Sequence, residues 1–174
     1  MRYIALVRGI NVGKKNWIPM DVLMSIFVNL GYRKVKTYIN SGNVLFDSDD
    51  TPKKIQRSLE AAISGHFGET IPVIVKTQSE IAAIREIVPE IWQNDKQQST
   101  NVVFLFPEID REEIIQELPV KTEFVEFIYT KGALIWNIKR ENLNKSRITN
   151  LSGHKFYRRM TIRNVNTLRK LAEM

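Results

Sequence analysis

From Tyr3 to Lys76 the chain spells out six elements in a fixed order, and that order limits the fold more than any single motif does. Tyr3 to Val7 is apolar at every position rather than at alternate ones, the pattern of a strand covered on both faces. A helical pattern follows, with Pro19 suited to the first helical position, apolar residues at Met20, Leu23, Met24, Phe27 and Leu30, and Gly31 to stop it. Val35 to Ile39 and Val44 to Phe46 read as strands joined by Asn40-Ser41-Gly42-Asn43, a hairpin signal. Thr51-Pro52 opens a second helix with Ile55, Leu59, Ala62 and Ile63 on one face, and Pro72 to Lys76 is a strand whose leading proline suits a sheet edge. Strand, helix, strand, strand, helix, strand is the order of a ferredoxin-like unit.

The same order recurs after residue 99. Thr77 and Glu80, at capping-box spacing, announce a short helix to Val88, and the polar stretch Pro89 to Ser99 reads as a joint. Asn101 to Phe106 is an apolar strand, Asp110 and Glu113 are placed to cap a helix running to Leu118, and Phe124 to Tyr129 and Ala133 to Ile138 form a hairpin around Lys131-Gly132. Asn142 to Leu151 reads as a helix, and a last helix carries Val165, Leu168 and Leu171. The sequence thus predicts an α+β protein of two ferredoxin-like βαββαβ halves in tandem, with antiparallel sheets and helices packed on one face. The halves are residues 1–76 and 100–174, joined by a helix and linker over 77–99. The second half is expected to end in basic helices instead of a clean fourth strand. No residue-level repeat accompanies the repeated element order.

With 174 residues, 43% apolar and 26% charged, the chain can bury a sizeable core. No stretch approaches the roughly 20 apolar residues of a membrane span. Met1 leads almost directly into a strand, so a cytoplasmic protein with no membrane partner is expected. The absence of cysteine excludes disulfides, thiolate chemistry and sulfur-ligated zinc, and the two histidines, His66 and His154, lie far apart. The net charge of +7 is uneven. Lys139 to Lys170 holds ten Lys or Arg against one acid, a balance of +9 that leaves −2 for everything else.

Two segments carry candidate chemistry. Arg8-Gly9-Ile10-Asn11-Val12-Gly13-Lys14-Lys15-Asn16 lies between a strand and a helix, a natural cradle for an anion. In the predicted topology this loop and the Asn40 to Asn43 hairpin share one end of the sheet. The candidate ligand-binding residues there are Arg8, Gly9, Asn11, Gly13, Lys14 and Lys15 with Asn40, Ser41, Gly42 and Asn43. The same residue types are also what tight turns require. Neither G-x-x-x-x-G-K-[ST] nor G-x-G-x-x-G is present, so no nucleotide fingerprint supports the loop.

The second segment, His154 to Arg159, interleaves basic and aromatic residues. Lys155, Tyr157, Arg158 and Arg159 are candidates for nucleic acid, unless Phe156 and Tyr157 face the core beneath a solvated basic surface. Thr161, Asn164 or Asn166 can cap the last helix, whereas capping does not explain Arg163. Asp47, Asp49 and Asp50 read as turn and helix-start residues rather than metal ligands. No serine elbow or other nucleophile motif occurs, so no catalytic residue, metal or cofactor is assigned.

Three blocks, MRYIALVRGINVGKKNWIPM, TYINSGNVLF and TIRNVNTLRKL, resemble a widespread bacterial family of unknown function, numbered 1697 among such domains. The resemblance implies a cytoplasmic α+β protein with a duplicated ferredoxin-like arrangement. It marks Arg8, Gly9, Asn11, Gly13, Ser41, Gly42, Asn43, Arg163, Asn164 and Thr167, while Lys14 stands where many relatives carry a second glycine. The leading expectation is an anionic, phosphate-containing ligand, a nucleotide or nucleic acid, held by the loop, the hairpin and Arg163, Asn164 and Thr167. The alternatives are an enzyme acting on a small phosphorylated metabolite and a structural protein that pairs with partners through open sheet edges. No oligomeric state is implied.

Overall fold

The computed structural model describes residues 1–12 and 17–174. They form two compact units, Met1–Ile81 and Ala82–Met174.

In the first unit β1 (Arg2–Val7), α1 (Met20–Asn29), β2 (Arg33–Tyr38), β3 (Asn43–Asp47), α2 (Pro52–Phe67) and β4 (Val73–Thr77) follow the predicted order. The sheet runs β2-β3-β1-β4 with every neighbouring pair antiparallel. Period-two alternation sends Tyr3, Ala5, Val7, Val44, Phe46 and Val73 into a core with Leu23, Ile26 and Phe27 of α1 and Ile55, Leu59 and Ile63 of α2. Phe27 meets Phe46 edge-on at 5.2 Å. Ile4, Leu6 and Leu45, on the opposite face, are also fully buried, which is why β1 has no polar alternation.

Local signals set the helix limits. Thr51 Oγ1 accepts the Lys54 N–H at 3.4 Å, and Gly68, at φ +73°, ends α2. Pro19 stands one residue before α1 rather than inside it. The outer strand β4 follows Pro72 as expected. The other outer strand, β2, has a register shift between Arg33 and Lys36, with Lys34 at φ +50° and all three side chains exposed. A bulge and a row of cations guard that edge against pairing with another chain.

Next comes α3 (Gln78–Ile87), opened by the predicted capping box: Thr77 N–H donates to Glu80 Oε2 at 2.8 Å, and Glu80 N–H to Thr77 Oγ1 at 3.1 Å. The second unit continues with β5 (Gln98–Leu105), α4 (Ile114–Glu117), β6 (Glu126–Thr130), β7 (Ala133–Lys139), α5 (Leu143–Ser146), β8 (Met160–Asn164) and α6 (Val165–Glu173). Its sheet order, β6-β7-β5-β8, repeats that of the first unit, again with all pairs antiparallel.

Three expectations are corrected here. The fourth strand is present: β8 pairs with β5 from Asn101↔Asn164 to Leu105↔Met160, and α6 follows it. The helix expected to run to Leu118 has only four residues, because Pro119 disfavours helical geometry at Leu118 and Asp110 is used elsewhere. The helix expected over Asn142 to Leu151 stops at Ser146, with Arg147 left-handed at φ +58°. Its continuation is two 3-10 segments, Ile148–Gly153 and Lys155–Arg159, in a stretch of Thr, Asn, Ser, Gly and His that holds a regular helix poorly.

The two units nevertheless match bond for bond at one end. Val7 N–H donates to Gly42 O at 2.8 Å and Arg8 N–H to Pro72 O at 2.9 Å. Leu105 N–H donates to Gly132 O at 3.0 Å and Phe106 N–H to Arg159 O at 3.0 Å. Among the described residues no helix is long and apolar enough to cross a membrane.

Candidate functional site

The β1–α1 loop and the β2–β3 hairpin meet at one end of the first unit, and a single side chain ties them. Asn11 Oδ1 accepts the Ile18 N–H at 2.7 Å, while Nδ2 donates to Ile18 O and Asn40 O, each at 2.8 Å. The amide thus joins the start of the loop, its end and the hairpin. Among the described residues here, four have left-handed backbones: Gly9 (φ +64°), Asn11 (+56°), Ile39 (+48°) and Gly42 (+74°). Gly42 is required twice over, since a Cβ there would lie 2.7 Å from Ile10 Cδ1 and 3.0 Å from Val7 Cβ. Ile39 is the unusual one. A β-branched residue in this region stores on the order of 1–3 kcal/mol of strain.

The other predicted residues divide by role. Asn43 is buried, and its Nδ2 donates to Tyr38 O at 3.1 Å and Ser41 Oγ at 2.9 Å, so it holds the turn from inside. Arg8 is half-buried, and the side chain of Asn40 is exposed. Gly13, Lys14 and Lys15 lie outside the described residues.

Sequence reasoning missed three side chains at this end. Trp17 is 66% exposed, Val12 69% and Ile39 49%. Each adjoins in sequence one of the residues that the Asn11 amide connects, so these unburied apolar groups gather beside the loop. A tryptophan before Ile18-Pro19 was the available signal, but exposure is a tertiary property that periodicity does not report.

In the second unit Arg163 sits on β8 opposite Val102 and is 8% exposed. Burial brings its guanidinium down to about 10, still well above neutrality, so it remains a cation, and Nη1 donates to Ile162 O at 2.9 Å. Asn164 is the cap of α6: its Oδ1 accepts the Thr167 N–H at 2.8 Å, which gives both residues a structural role.

The basic–aromatic segment is tied down locally. Phe156 and Tyr157 pack against the core that contains Trp136 and Leu151. Lys155 Nζ lies 4.7 Å from the Phe156 ring centre and 4.0 Å from Glu117, and Arg159 is 3.7 Å from Glu108. Arg158 is exposed. Arg169 donates to the carbonyls of Pro89, Glu90 and Trp92 at 3.4, 3.5 and 3.0 Å and to Gln93 Oε1 at 2.8 Å, latching that turn to α6.

The acidic run after β3 is likewise spent on cations. Asp47 pairs with Lys34 at 3.1 Å and Arg2 at 3.3 Å, Asp49 with Arg33 at 3.0 Å and Asp50 with Lys54 at 2.7 Å. The hydrogen bond from Lys34, with help from Arg2, holds the Asp47 carboxyl below the ordinary carboxylate range.

Residues 1–136 match the family described as protein of unknown function (DUF1697). A solved structure of a conserved bacterial protein from Streptococcus pneumoniae is similar over 99% of this chain and 97% of that one, at 30% identity and a TM-score of 0.85. Nothing among curated proteins matches.

Proposed function

The chain belongs to the DUF1697 family, whose description carries no activity, and we propose from the geometry that the β1–α1 end of the first unit binds a phosphate-containing ligand with a planar base, a nucleotide or single-stranded nucleic acid. The observation that carries this reading is the Asn11 amide, which draws a basic loop and a strained hairpin together beside an unburied tryptophan. Arg8, Lys14 and Lys15 supply cationic charge in the loop sequence, and Trp17 supplies a face on which a base stacks. Strain concentrated at Ile39 fits a site that is preorganised at some cost in stability.

Tryptophan emission tests it directly, because Trp92 and Trp136 are 7% and 4% exposed and acrylamide therefore reaches chiefly Trp17. Titration with ATP and, separately, with a thymidine oligonucleotide is expected to protect Trp17 from acrylamide. For the oligonucleotide, affinity should fall with salt at a slope of about 0.7 per phosphate contact, reduced by one to two contacts in Lys14→Ala/Lys15→Ala. Emission and quenching left unchanged by both ligands would overturn the proposal.

A further inference from the structure

The two units also correspond at the opposite end of their sheets, and there they differ in a way that points to a second ligand. In the first unit Asp47 of β3 lies opposite Arg2 of β1 and Arg33 of β2. In the second unit Asn137 of β7 lies opposite Thr100 of β5 and Glu126 of β6. Asp47 is five residues after Gly42, and Asn137 five after Gly132, so the positions are equivalent. In the first unit the charges at this place are paired with one another, Asp47 with Lys34 and Arg2, beside an open cleft of about 780 Å³ that these residues line with Lys36.

In the second unit an amide, Asn137, takes the place of that acid. Asn137, 8% exposed, accepts from Thr100 Oγ1 at 2.8 Å and donates to Glu126 Oε2 at 3.0 Å, which fixes that carboxylate and leaves its other oxygen uncommitted by these bonds. Over them opens a cleft of about 440 Å³, whose walls include Lys96, Glu126, Lys139, Arg140 and Glu141. That volume lies within the range of small-molecule sites.

Both signs of charge are present, yet among the described residues none of the five forms an ion pair within 4 Å. The rim is held in shape. Asp95 Oδ1 accepts the N–H groups of Gln97 and Gln98 at 2.7 and 2.9 Å, and Arg140 donates to Asp95 O and to Asn94 Oδ1. The hydrogen bonds from Gln98 and Gln97 keep the Asp95 carboxyl below its ordinary range.

We propose that this cleft binds an acidic amino acid, free or as the first residue of a short peptide, with its ammonium on Glu126 and its carboxylates on Lys139, Lys96 and Arg140. Three cations outnumber two carboxylates in the wall, and of the carboxylates Glu126 is the one that Asn137 holds in place, so a ligand with one positive group for Glu126 and two negative groups for the cations matches the cleft. This site is independent of the nucleotide reading, since it lies in the other unit and uses none of the same residues.

The test is a titration of the isotope-labelled protein followed by the NMR signals of the Asn137 side-chain amide and of the Lys139 backbone. L-Glutamate and a glutamyl-glutamate peptide are the ligands, and N-acetylglutamate and glycine the controls. Saturable shifts with glutamate are expected, at least tenfold weaker binding of N-acetylglutamate and of glycine, and a loss of at least tenfold in Glu126→Gln and in Lys139→Ala. Glu126→Gln keeps an acceptor for Asn137 and so preserves the fold. Tighter binding of the peptide than of the free amino acid assigns the peptide as the source, and the reverse assigns the free acid. Absence of shifts with both, or equal binding of glutamate and N-acetylglutamate, overturns the proposal.

Discussion

The ends of the two sheets where β1 and β5 finish share their main-chain hydrogen bonds but not their chemistry. In the second unit the segment after β5 closes that end with acids. Asp110 Oδ1 accepts the Gly132 N–H at 2.8 Å and the Tyr129 hydroxyl at 3.0 Å, and Glu108 pairs with Arg159. Burial, followed by the Asp110 carboxylate, pushes the Tyr129 phenol above its ordinary value, so it stays a donor. In the first unit a neutral amide does the tying, and Val12, Trp17 and Ile39 remain in solvent. At the opposite ends both units carry a cleft and the difference is in charge pairing: Asp47 is ion-paired in the first unit, whereas Asn137 stands at its place in the second. Duplication of a fold supplies two frames, and the two units line them with different charges and amides.

The helical layer differs as well. The face of the first sheet that carries Phe46 is covered by helices of 10 and 16 residues, whereas the equivalent face of the second, which carries Trp136, is covered by four-residue helices and 3-10 segments and retains a cavity of about 230 Å³ beside Leu151, Trp136 and Tyr157. This contrast sets the largest expected effect. Leu59→Ala, on α2, should cost near the top of the ~2–5 kcal/mol range for such deletions. Leu151→Ala should fall near the bottom, because it extends a space already unfilled. Urea denaturation followed by far-UV circular dichroism measures both, and equal costs would mean that the second layer packs as tightly as the first.

The hairpin glycines sharpen the comparison at smaller scale. Gly42→Ala should destabilise by about 1–3 kcal/mol, because strain at φ +74° is joined by the clash with Ile10 and Val7. Gly132→Ala, at φ +84°, carries the same left-handed backbone strain, roughly 1 kcal/mol, and serves as the reference. Thermal melts of the two variants in parallel decide whether the first hairpin is the more tightly seated. A Gly42 variant no worse than its counterpart would remove the close-approach argument.

The smallest effect concerns acid. Burial alone would raise the Glu80 carboxyl, but the hydrogen bond from Thr77 and the charge of Lys76 outweigh it and leave the group below its ordinary value. A depressed carboxyl stabilises the fold above its unfolded value, and that contribution is lost as the pH falls through the lower folded one. Glu80→Gln should therefore lower the urea midpoint slightly at neutral pH and draw level with the parent below the ordinary carboxylate range. A constant difference at every pH would assign the loss to packing instead of ionisation.

Much of the first unit is legible in the sequence. Pro19, Gly31, Thr51 and Pro72 are punctuation that acts over a few residues, and the apolar run of β1 follows from burial on both faces. The meeting of loop and hairpin was legible too, because an antiparallel connection leaves no other end for them. The connections of the second unit were not. Their apolar residues have helical spacing over short stretches, and only the packing of the sheet decides whether a turn of 3-10 helix suffices to cover it. Arg163 hid the fourth strand, since a cation in a strand argues against burial until its surroundings are known.

By itself the sequence determined the element order, the duplicated strand plan and the basic character of one loop, because all three depend on local periodicity and charge. The tertiary structure decided which polar residues are structural and which are left open. Asn43 and Asn164 were absorbed into a turn and a cap, Tyr157 into a core, and Trp17 and the cleft at Asn137 emerged instead. Exposure and partnership are properties of neighbours distant in the chain, and no local pattern encodes them.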